Sequence, residues 1–491
     1  MGGRRITGAR GGPGAVPFDV VPNANNAAQT PQARHRVEPV AEDLGRRFRD
    51  AGHRLALVGG SVRDTLLGRL GHDLDFTTDA RPEQVLRILR PWADAVWEVG
   101  IAFGTVGGLK DGYQIEVTTY RSEAYDRTSR KPEVSYGDTI EEDLVRRDFT
   151  VNAMAVALPD TDFIDPYGGL DDLAARTLRT PGTPEASFSD DPLRMMRAAR
   201  FAAQLDFEVA PEVVAAMAAM ADRIAIVSAE RVRDELNKLL LSAHPIKGLR
   251  LLVDTGLADR VLPELPALRL ERDEHFRHKD VYEHTLTVLE QAIALETEGP
   301  DLTLRLAALL HDIGKPRTRR FEPDGRVSFH HHEVVGAKLT KARMTALKYP
   351  NDQVKDVSRL VELHLRFHGY GNGEWTDSAV RRYVRDAGPL LERLHKLTRS
   401  DCTTRNKRKA EALWRTYDGL EERIAELQEQ EELDSIRPDL DGNQIMRILD
   451  LTPGPLVGKA YQYLLELRLE HGPLGEEAAT EELRKWWAAQ G

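Results

Sequence analysis

From Val37 apolar residues recur every three to four positions, which predicts an amphipathic helix through Ala51. From Arg54 to about Leu178 the pattern mixes two periods. Short apolar runs (LALV, DLDFTT, YQIEVTTY) predict strands, and PEQVLRILR predicts a helix between them. From Asp190 onward strand patterning nearly vanishes and helical periodicity runs to the end. The Pro-rich stretch VLPELPAL, Val261 to Leu268, marks a boundary. A second charged helical stretch spans Ala410 to Leu433, and RPDLDG separates off a last helical segment. Met1 to about Arg34 is rich in Gly, Arg, Pro, Asn and Ala; it offers too little apolar surface to offset ordering entropy and is expected to be disordered.

Composition narrows the class. The 491 residues suggest about three domains, with 41% hydrophobic and 30% charged residues, a globular profile. The single cysteine, Cys402, excludes an intrachain disulfide and fits a reducing compartment such as the cytoplasm. The longest apolar stretch, Val213 to Ala229, is broken by Asp222 and Arg223, short of the roughly 20 residues a bilayer requires. The N-terminus has no apolar core of a signal peptide, and Ile6 stands where a myristoylation site wants Ser or Thr. No membrane partner is expected. The net charge of −11 argues against a nucleic-acid partner if it is taken as an average.

Local chemistry changes that picture. In LALVGGSVRDTLLGRLGHDLDFTTDA, a strand is followed by a turn at Gly59, Gly60 and Ser61 and by a helix from VRDTLLG. Such a turn lets backbone N–H groups approach a phosphate. Asp73 and Asp75 alternate with Leu74 and Phe76, so the two carboxylates share one strand face. They repel unless a cation sits between them, and their oxygens suit Mg²⁺ held together with substrate phosphates. Glu116, in QIEVTTY, is the candidate third carboxylate.

In DLVRRDFTVNAMAV, Asp148 and Asn152 are four apart and are expected on one helix face; Arg147 suits a triphosphate and Asn152 a ribose hydroxyl. In SDDPLRMMRAARF, Ser189 is expected to cap a helix with Pro192 in its first turn, placing Asp191 and Arg194 side by side. An aspartate accepts from N4 of cytosine or N6 of adenine, and an arginine donates to the neighbouring ring nitrogen or carbonyl. Guanine and uracil present a carbonyl where the aspartate needs a donor.

GGSVRD, DLDF, RRDFTVNA, DPYGGLDDL, DDPLRMMRAARF and SAERVRDELNKLL, in that order over Leu55 to Leu241, resemble the class II tRNA nucleotidyltransferases, the CCA-adding enzymes of the polymerase β superfamily. The resemblance implies that Asp73 and Asp75 hold the catalytic Mg²⁺. It implies that Gly59, Gly60, Arg63, Arg147, Asp148, Asn152, Asp191, Arg194 and Arg197 bind the nucleotide. The family's reading motif is usually E-D-x-x-R; here Asp190 replaces the Glu. The helix around Glu230 and Glu235 matches the motif that supports the nucleotide pocket. The polar stretch between Tyr120 and Asp143 sits where the family has a flexible loop that helps the switch from C to A.

Further on, HKDVYEHTLTVLEQA, LRLAALLHDIGKP, FHHHEVVGAKL, LVELHLRFHGY and LTRSDCTTRN resemble the HD superfamily of metal-dependent phosphohydrolases, patterned H…HD…D. The matching residues are His284, His311, Asp312 and Asp401, with His332 and His364 at the positions of extra ligands or a second metal. An apolar run ending in His-Asp also places ligands at the end of a buried helix. Of His330 to His332, two are expected to be exposed. The metal's identity is left open.

The fold implied is α/β plus all-α. Residues 1–36 are a disordered segment and 37–180 a polymerase-β-like nucleotidyltransferase head with a mixed sheet. Residues 181–262 form a helical neck and body, 263–410 a helical HD domain, and 411–491 a helical tail. The activity implied is template-independent addition of C, C and A to tRNA from CTP and ATP, with contacts to the tRNA 3′ end and acceptor stem. The HD domain adds a second activity on phosphate esters. Three alternatives stand: a poly(A) polymerase, an A-adding or CC-adding specialist, and an HD phosphohydrolase with an RNA-binding head. Positive charge gathers locally, at Arg127 to Lys131, Arg146 and Arg147, Arg194 to Arg200 and Arg405 to Lys409, so RNA is not excluded by the acidic average.

Overall fold

The computed structural model describes residues 39–490 except 70, 123–134, 270–279, 325–326, 368–374, 404–406 and 432–435. The N-terminal segment expected to be disordered, the centre of the loop after Tyr120 and Arg405 lie outside the described residues. The chain divides into two compact units, Met1–Gly182 and Thr183–Gly491.

The first unit is built on a seven-stranded mixed sheet. Its strands are β1 (Leu55–Val58), β2 (Asp73–Thr78), β3 (Ala95–Trp97), β4 (Thr105–Lys110) and β5 (Tyr113–Thr119). A short separate pair, β6 (Arg121–Ser122) and β7 (Ser135–Tyr136), brackets the undescribed loop. β8 (Ala155–Leu158) and β9 (Asp162–Ile164) complete the sheet in the order β3-β4-β5-β2-β1-β8-β9. Only β2 and β5 run parallel within it, across the crossover that contains the helix Pro82–Leu89; the other adjacent pairs are antiparallel. β1 is buried along its whole length, as expected of a central strand covered on both faces. β2 instead alternates: Leu74 and Phe76 are buried, Asp73 and Asp75 are open. That alternation exposes the two carboxylates on a strand that the core holds rigidly.

The second unit is helical; its other regular structure among the described residues is the strand pair Arg320–Phe321 and Val327–Ser328 and the two-residue strand Glu208–Val209. One helix, Leu193–Leu205, buries ten of its thirteen residues. Another, Leu302–Leu310, is apolar except for Arg305, Thr303 and its cap. Arg305 is buried, and its guanidinium is satisfied by Glu296 at 2.6 and 2.8 Å and by the carbonyl oxygens of Leu240 and Ser242 at 2.5 and 3.0 Å. Such a buried charge is tolerated because its donors find acceptors. The last three helices, Gly442–Leu449, Pro455–His471 and Glu476–Ala488, share an apolar cluster of Leu440, Ile445, Leu464 and Leu483 with Trp486 and Trp487 packed on it. No helix among the described residues is long and apolar enough to cross a membrane.

Candidate active site and metal centre

In the first unit the parallel register between β2 and β5 pairs Asp73 with Gln114 and Asp75 with Glu116. Residues in register on neighbouring strands project from the same face, so three carboxylates gather on one patch. Burial raises the pKa of the Asp75 carboxyl; Arg147 opposes this and the Asp73 charge adds to it. Burial and the charges of Asp75 and Asp73 push Glu116 the same way. Carboxylates that raise one another's proton affinity are a donor set short of positive charge, and a hard divalent cation fits them.

The turn after β1 closes on this patch. Gly59 has φ +71°, and a Cβ there would stand 2.7 Å from Arg147 Nη1 and 4.0 Å from an Asp75 oxygen. Glycine is required both by the backbone and by the approach of the guanidinium. The helix that follows begins at Gly60, not at Val62 as its polar-apolar pattern predicts, and runs to Leu66. Ser61 ties its first turn to β2: its hydroxyl donates to Asp73 O at 3.2 Å and accepts from Asp75 N–H at 3.0 Å. The sequence reading named Ser61 only as a turn residue; here it fixes the backbone under both aspartates.

Asp148 and Asn152 do not share an α-helical face. The helix Ile140–Val145 ends before them, Phe149 is extended at φ −137° and ψ 152°, and Thr150–Asn152 is a 3-10 turn. Asp148 draws the chain out of the helix by accepting Phe149 N–H at 2.9 Å, a competition with helical bonding that short acidic side chains often win. The two still meet, because Asn152 Nδ2 donates to Asp148 Oδ1 at 2.9 Å. Arg63, only 4% exposed, donates to Asn152 Oδ1 at 2.6 Å and pairs with Asp64 at 2.8 Å. Arg147 pairs with Asp143 at 3.3 Å.

In the second unit the base-reading candidates sit at a junction, not inside one helix. Ser189 belongs to the preceding helix, Pro184–Asp190, and does not cap the next. Pro192 imposes this break, because proline disfavours helical backbone at the residue before it. Asp191 is extended at φ −140° and caps the following helix itself, accepting Leu193 N–H at 3.1 Å. Arg194 donates to Ser187 Oγ at 2.8 Å. Arg197 lies 3.8 Å from Glu235, a buried residue that also accepts from Arg200 at 2.6 Å.

The six HD candidates converge. His284, His311 and Asp401 form one group and Asp312, His332 and His364 another, with ligand atoms inside each group all within 4.8 Å of one another. Asp312, 1% exposed, joins them: Oδ2 faces His311 at 3.2 Å and His284 at 3.5 Å, and Oδ1 faces His332 at 3.2 Å and His364 at 4.0 Å. The Nδ1 atoms of His311, His332 and His364 each meet a carbonyl oxygen three residues back, at 2.7 to 2.8 Å. Donation to these carbonyls would fix the tautomer that leaves Nε2 as an acceptor. Those three Nε2 atoms are buried and make no well-aligned hydrogen bond among the described residues, although two of them lie 3.2 Å from an Asp312 oxygen. Burial, reinforced by His311, lowers the pKa of His364 to about 3, so this ring is neutral near pH 7. Buried, inward-facing imidazole nitrogens beside carboxylates fit a divalent metal. His330 and His331 are exposed, as expected of two of the three.

Gly314 lets this centre close. A Cβ there would collide with His332 O and lie 2.7 Å from Gly336 N, so the turn after Asp312 packs directly on the helix His332–Ala346. Two residues of the centre escaped the sequence reading. Lys315 Nζ donates to Asp312 Oδ2 at 2.6 Å, and Thr403 Oγ1 lies 3.0 Å from His284 Nδ1. Their signal is proximity in sequence, three residues after Asp312 and two after Asp401.

Three family models match the chain. A model of the poly A polymerase head domain matches residues 55–179, one described as a probable RNA and SrmB-binding site of polymerase A matches 206–268, and an HD domain model matches 281–406. An A-adding tRNA nucleotidyltransferase of Deinococcus radiodurans is 36% identical over 446 residues, 89% of this chain and 96% of its own. The chain belongs to the tRNA nucleotidyltransferase family. A CC-adding tRNA nucleotidyltransferase of Thermus thermophilus is 32% identical over 88% of this chain and 93% of its own. A CCA-adding enzyme of Streptococcus suis is 30% identical over 88% and 92%. The crystal structure of the Bacillus stearothermophilus CCA-adding enzyme in complex with CTP superposes with a TM-score of 0.66 at 24% identity, covering 92% of this chain and 99% of that one, and shares the fold. Membership makes this tRNA nucleotidyltransferase an enzyme that uses divalent metal.

Proposed function

We propose that this enzyme adds C, C and A to the 3′ end of tRNA from CTP and ATP, releasing pyrophosphate at each step. The observation that carries the reading is the β2–β5 register, which sets Glu116 beside Asp75 on a chain alike over most of its length to enzymes that extend tRNA. Asp73, Asp75 and Glu116 would hold Mg²⁺, which would supply positive charge for the 3′ hydroxyl and the pyrophosphate leaving group. Gly59 and Gly60 offer backbone N–H groups to the phosphates, and Arg147 a guanidinium. Asn152 is held by Arg63 and Asp148 for a ribose hydroxyl, so Arg63 acts through Asn152. Asp191 and Arg194 read the base. The roles fit a cytoplasmic enzyme bound to the tRNA 3′ end and acceptor stem.

In the HD domain, His284, His311, Asp312, His332, His364 and Asp401 would hold divalent metal, which would supply Lewis-acid charge for hydrolysis of a phosphate ester. Lys315 supplies a cation beside the carboxylate that faces both groups.

Incubation of the enzyme with Mg²⁺, a tRNA transcript lacking CCA, and CTP, ATP or both tests the first reading. Product longer by three nucleotides and no more is expected; a long A ladder would overturn it in favour of a poly(A) polymerase. A second reading, a specialist for part of the sequence, is favoured by the likeness to an A-adding and a CC-adding enzyme over nearly the whole chain. Extension only of transcripts that already end in CC would establish it.

A further inference from the structure

The base-reading aspartate has one oxygen turned inward and one turned outward. Oδ1 accepts the Leu193 N–H, which fixes the carboxylate to the start of the helix Leu193–Leu205. Oδ2 accepts from Arg231 Nη2 at 2.8 Å. Arg231 lies on a different element, the first turn of the helix Ala229–Leu240, capped by Ser228. Four residues on, the same helix face carries Glu235, which holds Arg197 and Arg200 of the reading helix. The helix Ala229–Leu240 thus grips the reading helix twice, once at the aspartate through Arg231 and once about one turn further along through Glu235.

The Arg231–Asp191 pair is half-open, with side chains 54% and 26% exposed. Ion pairs so exposed add little to stability, so its use lies elsewhere. A carboxylate oxygen accepts along two lone-pair directions, and Arg231 occupies one of those on Oδ2. What remains on Oδ2 is one acceptor direction, on a carboxylate held through both of its oxygens. An exocyclic amine meets that direction; a base carbonyl in the same place meets an oxygen and no proton.

We propose that Arg231 is a positioning residue for base selection, which fixes the carboxylate orientation and the acceptor direction of Oδ2 through which Asp191 distinguishes C and A from U and G. The inference rests on the reading above that Asp191 selects the base. The pair sharpens selection in two ways: it locks the carboxylate rotation, and it removes the alternative in which Oδ2 swings to accept from N3–H of uracil or N1–H of guanine. Arginine suits this task because its planar donors hold an oxygen in a fixed direction, whereas a lysine holds it as a point charge.

The test uses the full-length enzyme and a tRNA transcript lacking CCA, with each of the four nucleoside triphosphates supplied singly. The ratio of kcat/KM for CTP to that for UTP is measured for the wild type, Arg231→Ala, Arg231→Lys and Asp191→Asn, with thermal melting of each. Arg231→Ala is expected to melt near the wild type, to raise KM for CTP more than it lowers kcat, and to reduce the CTP-to-UTP preference about ten-fold, the worth of one well-directed contact to a base edge. Arg231→Lys should restore part of that preference. An unchanged ratio in Arg231→Ala, whatever happens to the overall rate, overturns the inference. If Asp191→Asn loses the preference while Arg231→Ala keeps it, Asp191 still reads the base and only the positioning role falls. If both keep it, the reading of Asp191 falls and takes the positioning role with it.

Discussion

The two candidate metal centres solve the same problem in opposite ways. In the head, the carboxylates come from strands, two of them from one strand two residues apart, and the site stays open to a large charged substrate. In the HD domain, six ligands come from separate helices and turns between His284 and Asp401, and four of them are buried. The head donors are anionic and repel, so the cation and substrate phosphates complete them. The rings of His311, His332 and His364 are oriented by backbone carbonyls, with Nε2 turned toward Asp312. A strand with alternating pattern places ligands locally at low cost in chain ordering. A buried centre needs the whole helical packing, including an uncommonly close turn at Gly314.

If the two centres are independent, separate substitutions should silence one and spare the other. The largest effect is expected from Asp73→Ala, which should lower nucleotide incorporation about 10³-fold or more while hydrolysis of a phosphate ester continues. Loss of both activities would break the two-centre comparison. His311→Ala should remove most of the bound metal, read by elemental analysis per chain, and end hydrolysis while incorporation remains, because a buried ligand at the centre of the cluster is lost. Gly59→Ala should be milder. Its positive φ costs about 1–2 kcal/mol for an alanine and its Cβ presses on Arg147, so incorporation should fall about ten-fold with little loss of metal in the HD domain. Ser187→Ala is expected to have the smallest effect. It removes the hydroxyl partner of Arg194 but leaves the Ser187 carbonyl, 3.3 Å from the same nitrogen, so selectivity should change about two- to three-fold.

Much of this was legible along the chain. The alternation D-L-D-F put two carboxylates outward because a strand has period two, and nothing about the neighbours was needed to say so. The helix ending in His311 was legible from an apolar run too uniform for a surface helix. Other features were not. The four-residue spacing of Asp148 and Asn152 is that of a helix, yet Asp148 bonds the next N–H and the chain extends. The start of the reading helix was misplaced because Ser189 and Asp191 both make good caps, and Pro192 decided between them. Arg231 carries no local mark, since its partner lies 40 residues away.

The amino-acid sequence alone determined the elements, the acidic strand and the order of metal-binding residue types, because periodicity and ligand chemistry are local. Tertiary structure decided the rest. It set Glu116 beside Asp75 through a parallel register that no residue of either strand announces. It also gathered six ligands around Asp312 and gave Asp191 an arginine partner from another helix. These pairings depend on how faces pack, and packing is a property of all the elements together.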